Sequence, residues 1–195
     1  MSQKVLIAGQ EGMVGSSILR LLKKKKFNIV DCKRKDLDFT DQIAVDKWFK
    51  KNKPNIVINA AGKVGGILDN KKFQSDYIFI NSMIGLNITH CSMKYNVKKL
   101  INLGSACIYP KKTEQPIKES ALLSSYLEET NEGYALAKII SLKYSQHLKK
   151  KYKKEFISLM PANLYGRGDN FDLQSSHVLP ALVKKFTLKK NKNIP

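Results

Sequence analysis

Apolar residues along this chain fall into short continuous runs, separated by longer stretches in which they recur every three or four positions. Val5-Leu6-Ile7-Ala8 is the first run, and it ends in a glycine. A run without polar alternation is the mark of a strand buried on both faces, as in a parallel sheet. Phe27 to Val30, Ile56-Val57-Ile58, Leu100-Ile101-Asn102-Leu103 and Phe156 to Met160 repeat it, the last halted by Pro161. Between the runs, Val14, Ile18, Leu21 and Leu22 sit at helical spacing, as do Ile43, Val45, Trp48 and Phe49. The pattern predicts helices over 13–22, 41–51, 73–96, 131–151 and 177–188. Asp41 is placed to cap the second of these, and Lys23 to Lys26 end the first with charge that suits a helix C-terminus.

Strands alternating with helices at this rhythm mean βαβ units. The fold class expected is α/β, a Rossmann-like doubly wound parallel sheet with helices on both faces. Residues 63–72, with Gly65 and Gly66, read as a loop. Residues 109–130, with Pro110 and Pro116, read as an irregular active-site loop.

Composition narrows the function classes. No stretch of the 195 residues approaches the roughly 20 apolar positions of a membrane span. Met1-Ser2-Gln3-Lys4 leads straight into the first strand, which is not a secretory signal pattern. Cys32, Cys91 and Cys107 are an odd set with no CxxC spacing, so reduced thiols and a cytoplasmic location are expected, with no metal site. The formal charge of +19 invites a nucleic-acid partner. The excess is mostly lysine at helix ends and on exposed faces, so neither nucleic acid nor membrane is expected as a partner. Such a field favours a polyanionic small molecule instead.

The candidate chemistry starts at Gly9-Gln10-Glu11-Gly12-Met13-Val14-Gly15, between the first strand and the first helix. Glycines there let backbone approach a pyrophosphate, and the helix N-terminus offers N–H groups to its charge. The end of the second strand meets the adenosine ribose. Asp31 there favours NAD, whereas Lys33, Arg34 and Lys35 favour the 2′-phosphate of NADP; three cations against one carboxylate give NADP(H) as the expected cofactor. Downstream, Tyr134 and Lys138 stand four apart on one helix face, and a cation beside a phenol pulls its pKa down toward working pH. Ser105 ends the fourth strand on the cofactor edge of such a sheet. Taken alone, Cys107 reads as a core thiol, His177 as a cap or core residue, and His90 and His147 as structural or exposed residues without partners.

Ser105 with Tyr134-x3-Lys138, after the glycine loop, resembles the short-chain dehydrogenase/reductase superfamily. Lys63-Val64-Gly65-Gly66-Ile67, Gly104-Ser105-Ala106-Cys107-Ile108-Tyr109-Pro110, Met160-Pro161-Ala162-Asn163-Leu164-Tyr165-Gly166 and Ser176-His177-Val178 narrow the likeness to the GDP-L-fucose synthase family. The resemblance implies an NADPH-dependent enzyme that epimerises a GDP-4-keto-6-deoxy sugar at C3 and C5 and then reduces C4. In that pattern Tyr134 gives a proton to the ketone oxygen and Ser105 holds it. Lys138 binds the nicotinamide ribose, and Cys107 and His177 exchange protons at carbon. Cys107, two residues after Ser105, is expected to share its pocket through extended backbone.

By the same resemblance the cofactor meets Gly9, Gln10, Gly12, Met13, Val14, Gly15, Arg34, Ala60, Ala61, Leu103, Tyr134, Lys138, Pro161, Asn163 and Leu164. The sugar nucleotide meets Ser105, Asn163, His177 and Lys185. The resemblance also implies a homodimer of full-length chains. It divides this chain into a dinucleotide-binding domain at 1–170 and the start of an incomplete substrate-binding region at 171–195. The chain departs from the family at Glu11 and Ala106, and at Lys184-Lys185, where arginines are usual. Two further readings stand beside it: another sugar-nucleotide epimerase or reductase of the superfamily, and a non-catalytic NADP-binding domain. A missing lid also predicts marginal stability for this length of chain.

Overall fold

The computed structural model describes residues 3–173 and 175–190. The tail beyond Lys190, read above as the end of the substrate-binding region, lies outside the described residues. Five strands, β1 (Lys4–Ala8), β2 (Asn28–Val30), β3 (Ile56–Asn59), β4 (Lys99–Leu103) and β5 (Glu155–Leu159), form one sheet in the order β2-β1-β3-β4-β5. Every neighbouring pair is parallel. The helices are α1 (Met13–Lys24), α2 (Gln42–Asn52), α3 (Ile67–Lys72), α4 (Gln74–Lys94), α5 (Glu132–Tyr152) and α6 (Val178–Lys190). Asp41 caps α2 as expected, its carboxylate accepting from Ala44 N–H at 2.9 Å.

The apolar runs set the layers through their register. Leu6, Val57, Leu100 and Phe156 lie side by side across four strands. All four are buried in one core with Phe49 of α2 and Ile88 of α4. The next row, Ile7, Ile58, Ile101 and Ile157, points to the opposite face. There α1 covers Val5, Ile7 and Ile58 through Ile18, Leu19 and Leu22. Cover fades along the row, and Ile157 and Leu159 at the β5 edge are exposed. α4 and α5 pack at close range: a Cβ on Gly85 would fall 1.7 Å from Ser141 Oγ.

Two local expectations change. Residues 63–72 are not all loop, since α3 occupies their second half. Its apolar residues Ile67 and Leu68 face solvent, so it has no buried stripe to announce it. His90 does have a partner, with Nδ1 3.0 Å from the Tyr144 hydroxyl.

Candidate active site

All five strands point their C-terminal ends to one edge of the sheet, and each end delivers a candidate residue there. β1 opens into the glycine loop, β2 into Asp31, β3 into Ala60-Ala61, β4 into Gly104-Ser105 and β5 into Met160-Pro161.

The glycine loop fits a dinucleotide. Gly9 has φ +79°, where a side chain is strained, and a Cβ there would lie 2.8 Å from the Ala60 carbonyl. A Cβ on Gly15 would lie 2.0 Å from Gly9 O. The Gly12 N–H donates to Gly9 O at 3.0 Å and closes the turn. No side chain caps α1, so its first N–H groups are left for an anion. At the ribose end, Gln10 Nε2 donates to Asp31 Oδ1 at 2.5 Å, and Lys33 Nζ stands 3.9 Å from Asp31 Oδ2. Glu11 Oε2 accepts from the Arg34 backbone N–H at 2.8 Å.

Behind Ala60-Ala61 lies a network that the sequence reading missed. Asn59 Nδ2 donates to Asn102 Oδ1 at 3.2 Å, and Asn59 Oδ1 accepts from Ala61 N–H at 3.2 Å. Asn81 of α4 clamps Lys63 from both sides, accepting from its N–H at 2.9 Å and donating to its carbonyl at 3.1 Å. Asparagine in a helix or at a strand end carries no sequence signal of such bonds.

Ser105, Cys107, Tyr134 and Lys138 come together around the end of β4. Ser105 is the N-cap of a short 3-10 turn, Ala106–Ile108, and its Oγ accepts from Cys107 N–H at 3.4 Å. The turn, not extended backbone, brings Cys107 to the pocket, because a capped turn reverses the chain within three residues. Cys107 packs against the cluster of Ile108, Leu127, Ala135 and Ile139. The start of α5 is fixed by Gln74, whose Oε1 accepts from Gly133 N–H at 2.8 Å. A Cβ on Gly133 would lie 2.5 Å from Gln74 O. Tyr134 follows directly, its ring 6.2 Å from that of Tyr77 and nearly perpendicular to it. The buried Tyr77 hydroxyl donates to the Asp69 carboxylate. Asp69 and Tyr77 are further site residues that the sequence reading passed over.

The electrostatics of the site differ from expectation. Lys138 Nζ donates to Leu103 O at 3.0 Å and lies 5.5 Å from the Tyr134 ring centre. Burial pushes the Lys138 ammonium down to about 8, with Cys107 pulling weakly the other way. Burial also raises the Tyr134 phenol, and Cys107 adds to the rise. The expected lowering of the tyrosine is thus reversed, because desolvation of the phenolate is the largest influence on the phenol. The Cys107 thiol is raised by burial too, against the opposing pull of Ser105 and Lys138. It is therefore protonated at neutral pH.

His177 is exposed ahead of α6, where its carbonyl accepts from Ala181 N–H at 3.1 Å. Gly66 N–H donates to Ser175 O at 2.8 Å, and a Cβ on Gly66 would lie 2.5 Å from Ser176 O. The Gly65-Gly66 loop and the segment before His177 are therefore docked together. Pro161 O accepts from Ala106 N–H at 3.2 Å, tying the end of β5 to the Ser105 turn. Asn163, Leu164 and Lys185 are exposed. Among the described residues no hydrogen bond joins their side chains, or that of His177, to the Ser105–Tyr134 cluster.

A GDP-L-fucose synthase of Sinorhizobium fredii is 49% identical over 183 residues, covering 94% of this chain and 58% of its own length. A GDP-6-OMe-4-keto-L-xylo-heptose reductase from Campylobacter jejuni superposes with a TM-score of 0.94 at 38% identity, over 99% of this chain and 56% of that one. A GDP-L-fucose synthetase from Naegleria fowleri bound to NADP superposes with a TM-score of 0.87 at 32% identity, over 97% of this chain and 59% of that one. The chain thus spans a little over half the length of these relatives. The sequence model of the NAD dependent epimerase/dehydratase family matches residues 5–195. With the parallel sheet, the glycine loop and the Ser105, Tyr134 and Lys138 cluster at one edge, the chain belongs to the NAD dependent epimerase/dehydratase family.

Proposed function

We propose that this chain carries the cofactor half and the reaction centre of a GDP-L-fucose synthase. The observation that carries the reading is the gathering of Ser105, Cys107, Tyr134 and Lys138 at one sheet edge beside a glycine loop shaped for a dinucleotide. The substrate is a GDP-linked 4-keto-6-deoxy-mannose and the product GDP-L-fucose.

The ketone at C4 makes the protons on C3 and C5 acidic. Removing one gives an enolate, whose charge sits on O4. The Ser105 hydroxyl donates to that oxygen, while the Tyr134 phenol, kept neutral by burial, holds its proton for the later reduction. A proton then returns from the opposite face of the sugar. The Cys107 thiol, held protonated, is the donor, and His177, which follows the Ser175–Ser176 segment docked on Gly66, is the base. The glycine loop would hold NADPH, which would supply the hydride for C4. Tyr134 passes its proton to O4 in that step, and Lys138 beside it assists by its charge while binding the nicotinamide ribose. Asn163 and the α6 cation Lys185 meet the sugar and the nucleotide diphosphate; an ammonium there serves as a point charge.

The exposed Phe79 of α4 and Ile140 of α5 support pairing of two copies through these helices. Three free thiols support a cytoplasmic location. No described helix is long and apolar enough to cross a membrane.

A 4-reductase of another GDP-linked keto sugar is the second reading, favoured by the likeness to the heptose reductase. Incubation with the keto sugar and NADPH in deuterium oxide separates the two. Deuterium at C3 and C5 together with NADPH consumption supports the synthase. Consumption with no deuterium supports the reductase. Cofactor binding with neither leaves a binding domain.

A further inference from the structure

The ribose end of the glycine loop contains an arrangement that cofactor charge-counting alone does not reveal. Asp31 follows β2 directly, at the position where a carboxylate accepts from the 2′-hydroxyl of NAD. In this chain that carboxylate is already engaged. Its Oδ1 takes the Gln10 amide at 2.5 Å, and its Oδ2 faces the Lys33 ammonium at 3.9 Å.

Gln10 is not a loose surface residue that could swing away. It is 3% exposed, set between Gly9 and Gly12 in the tight turn of the glycine loop. Its Oε1 is buried with no hydrogen-bond partner among the described residues. Turning the amide over would place Oε1 against a carboxylate, two acceptors face to face, so Asp31 dictates the orientation. The basic turn beyond is fixed separately. Glu11 accepts from the Arg34 N–H at 2.8 Å, and Asp36 N–H closes on Lys33 O at 2.9 Å. The Arg34 and Lys35 side chains are exposed on that turn.

We propose that Gln10 determines cofactor specificity: by donating to Asp31 it silences the acceptor that NAD would use and leaves the Arg34–Lys35 turn to the 2′-phosphate of NADP. A carboxylate oxygen that already accepts from a buried amide, with a lysine facing its partner oxygen, repels a phosphate less and is a poorer acceptor for a ribose hydroxyl. The inference rests on the dinucleotide reading of the glycine loop and goes beyond it to this one side chain.

Equilibrium titration of the chain with NADPH and with NADH, followed by cofactor fluorescence, tests it without turnover. Gln10→Leu keeps the volume and removes the donor. It should lower the NADPH-over-NADH preference about tenfold, chiefly by tighter NADH binding. In an Asp31→Asn background the same change should leave the preference within about twofold, since the carboxylate that the Gln10 amide engages is then absent. Asp31→Asn alone should leave NADH binding within about twofold of the unaltered chain. That last variant carries the test if Gln10→Leu fails to fold. Unchanged preference in a folded Gln10→Leu, or a fivefold or greater loss of NADH binding in Asp31→Asn, overturns the proposal. Failure of the unaltered chain to bind either cofactor overturns the dinucleotide reading itself.

Discussion

Lys138 holds its ammonium 5.5 Å from the centre of the Tyr134 ring and gives a hydrogen bond to Leu103 O at 3.0 Å. The lysine is thus anchored to the end of β4, and burial brings its pKa down to about 8. A lysine whose pKa is lower in the folded chain binds fewer protons there than in the unfolded chain. Its contribution to stability therefore rises as pH climbs from about 8 to about 10.4. The buried thiols of Cys32 and Cys91 and the phenols of Tyr77 and Tyr134 are all raised, and they act in the opposite sense at alkaline pH. The lysine effect is therefore read as a difference. Urea unfolding of the unaltered chain minus that of Lys138→Met should shift in favour of the unaltered chain by up to about 3 kcal/mol across this window. A pH-independent difference contradicts the burial of a charged Lys138.

Tyr77 supports the reaction centre from the α4 side. Its hydroxyl donates to Asp69, and its ring meets Tyr134 edge to face at 6.2 Å. Tyr77→Phe leaves the carboxylate without its donor in a half-buried site and should cost about 1–3 kcal/mol in urea unfolding. Asp69→Ala in the same chain removes the unpaired group and should recover most of that loss. Additive costs from the two changes would mean that the bond is not made.

Gly15 is required by space. Its Cβ would fall 2.0 Å from Gly9 O, which belongs to backbone that has no freedom to move while Gly9 packs on Ala60. Gly15→Ala should weaken NADPH binding at least tenfold and destabilise the chain by about 2 kcal/mol. Titration and thermal unfolding measure both.

The sheet could be read from the sequence because strands buried on both faces must be apolar at successive positions. The runs at Val5, Ile56 and Leu100 are β1, β3 and β4 in the structure. The glycine loop was equally plain, since three glycines between a strand and a helix have few other uses. The exposed Ile67 and Leu68 hid α3, and the 3-10 turn after Ser105 hid behind a cap that looks like any serine. Asn59, Asn81 and Asn102 act only through partners far along the chain, which no local pattern reports. The Tyr134 phenol went the other way from expectation for the same reason. Spacing shows a neighbouring cation, whereas burial is set by α4, α5 and the Ser105 turn together.

The central claim is that Tyr134 and Cys107 sit in one site but serve different steps. It is tested most directly by following solvent deuterium and NADPH together in the two single variants. Tyr134→Phe should slow NADPH consumption by about 100-fold or more while deuterium still enters the sugar at C3 and C5. Cys107→Ser should block deuterium entry at those carbons. Equal loss of both signals in Tyr134→Phe, or undiminished deuterium entry in Cys107→Ser, would contradict the assignment.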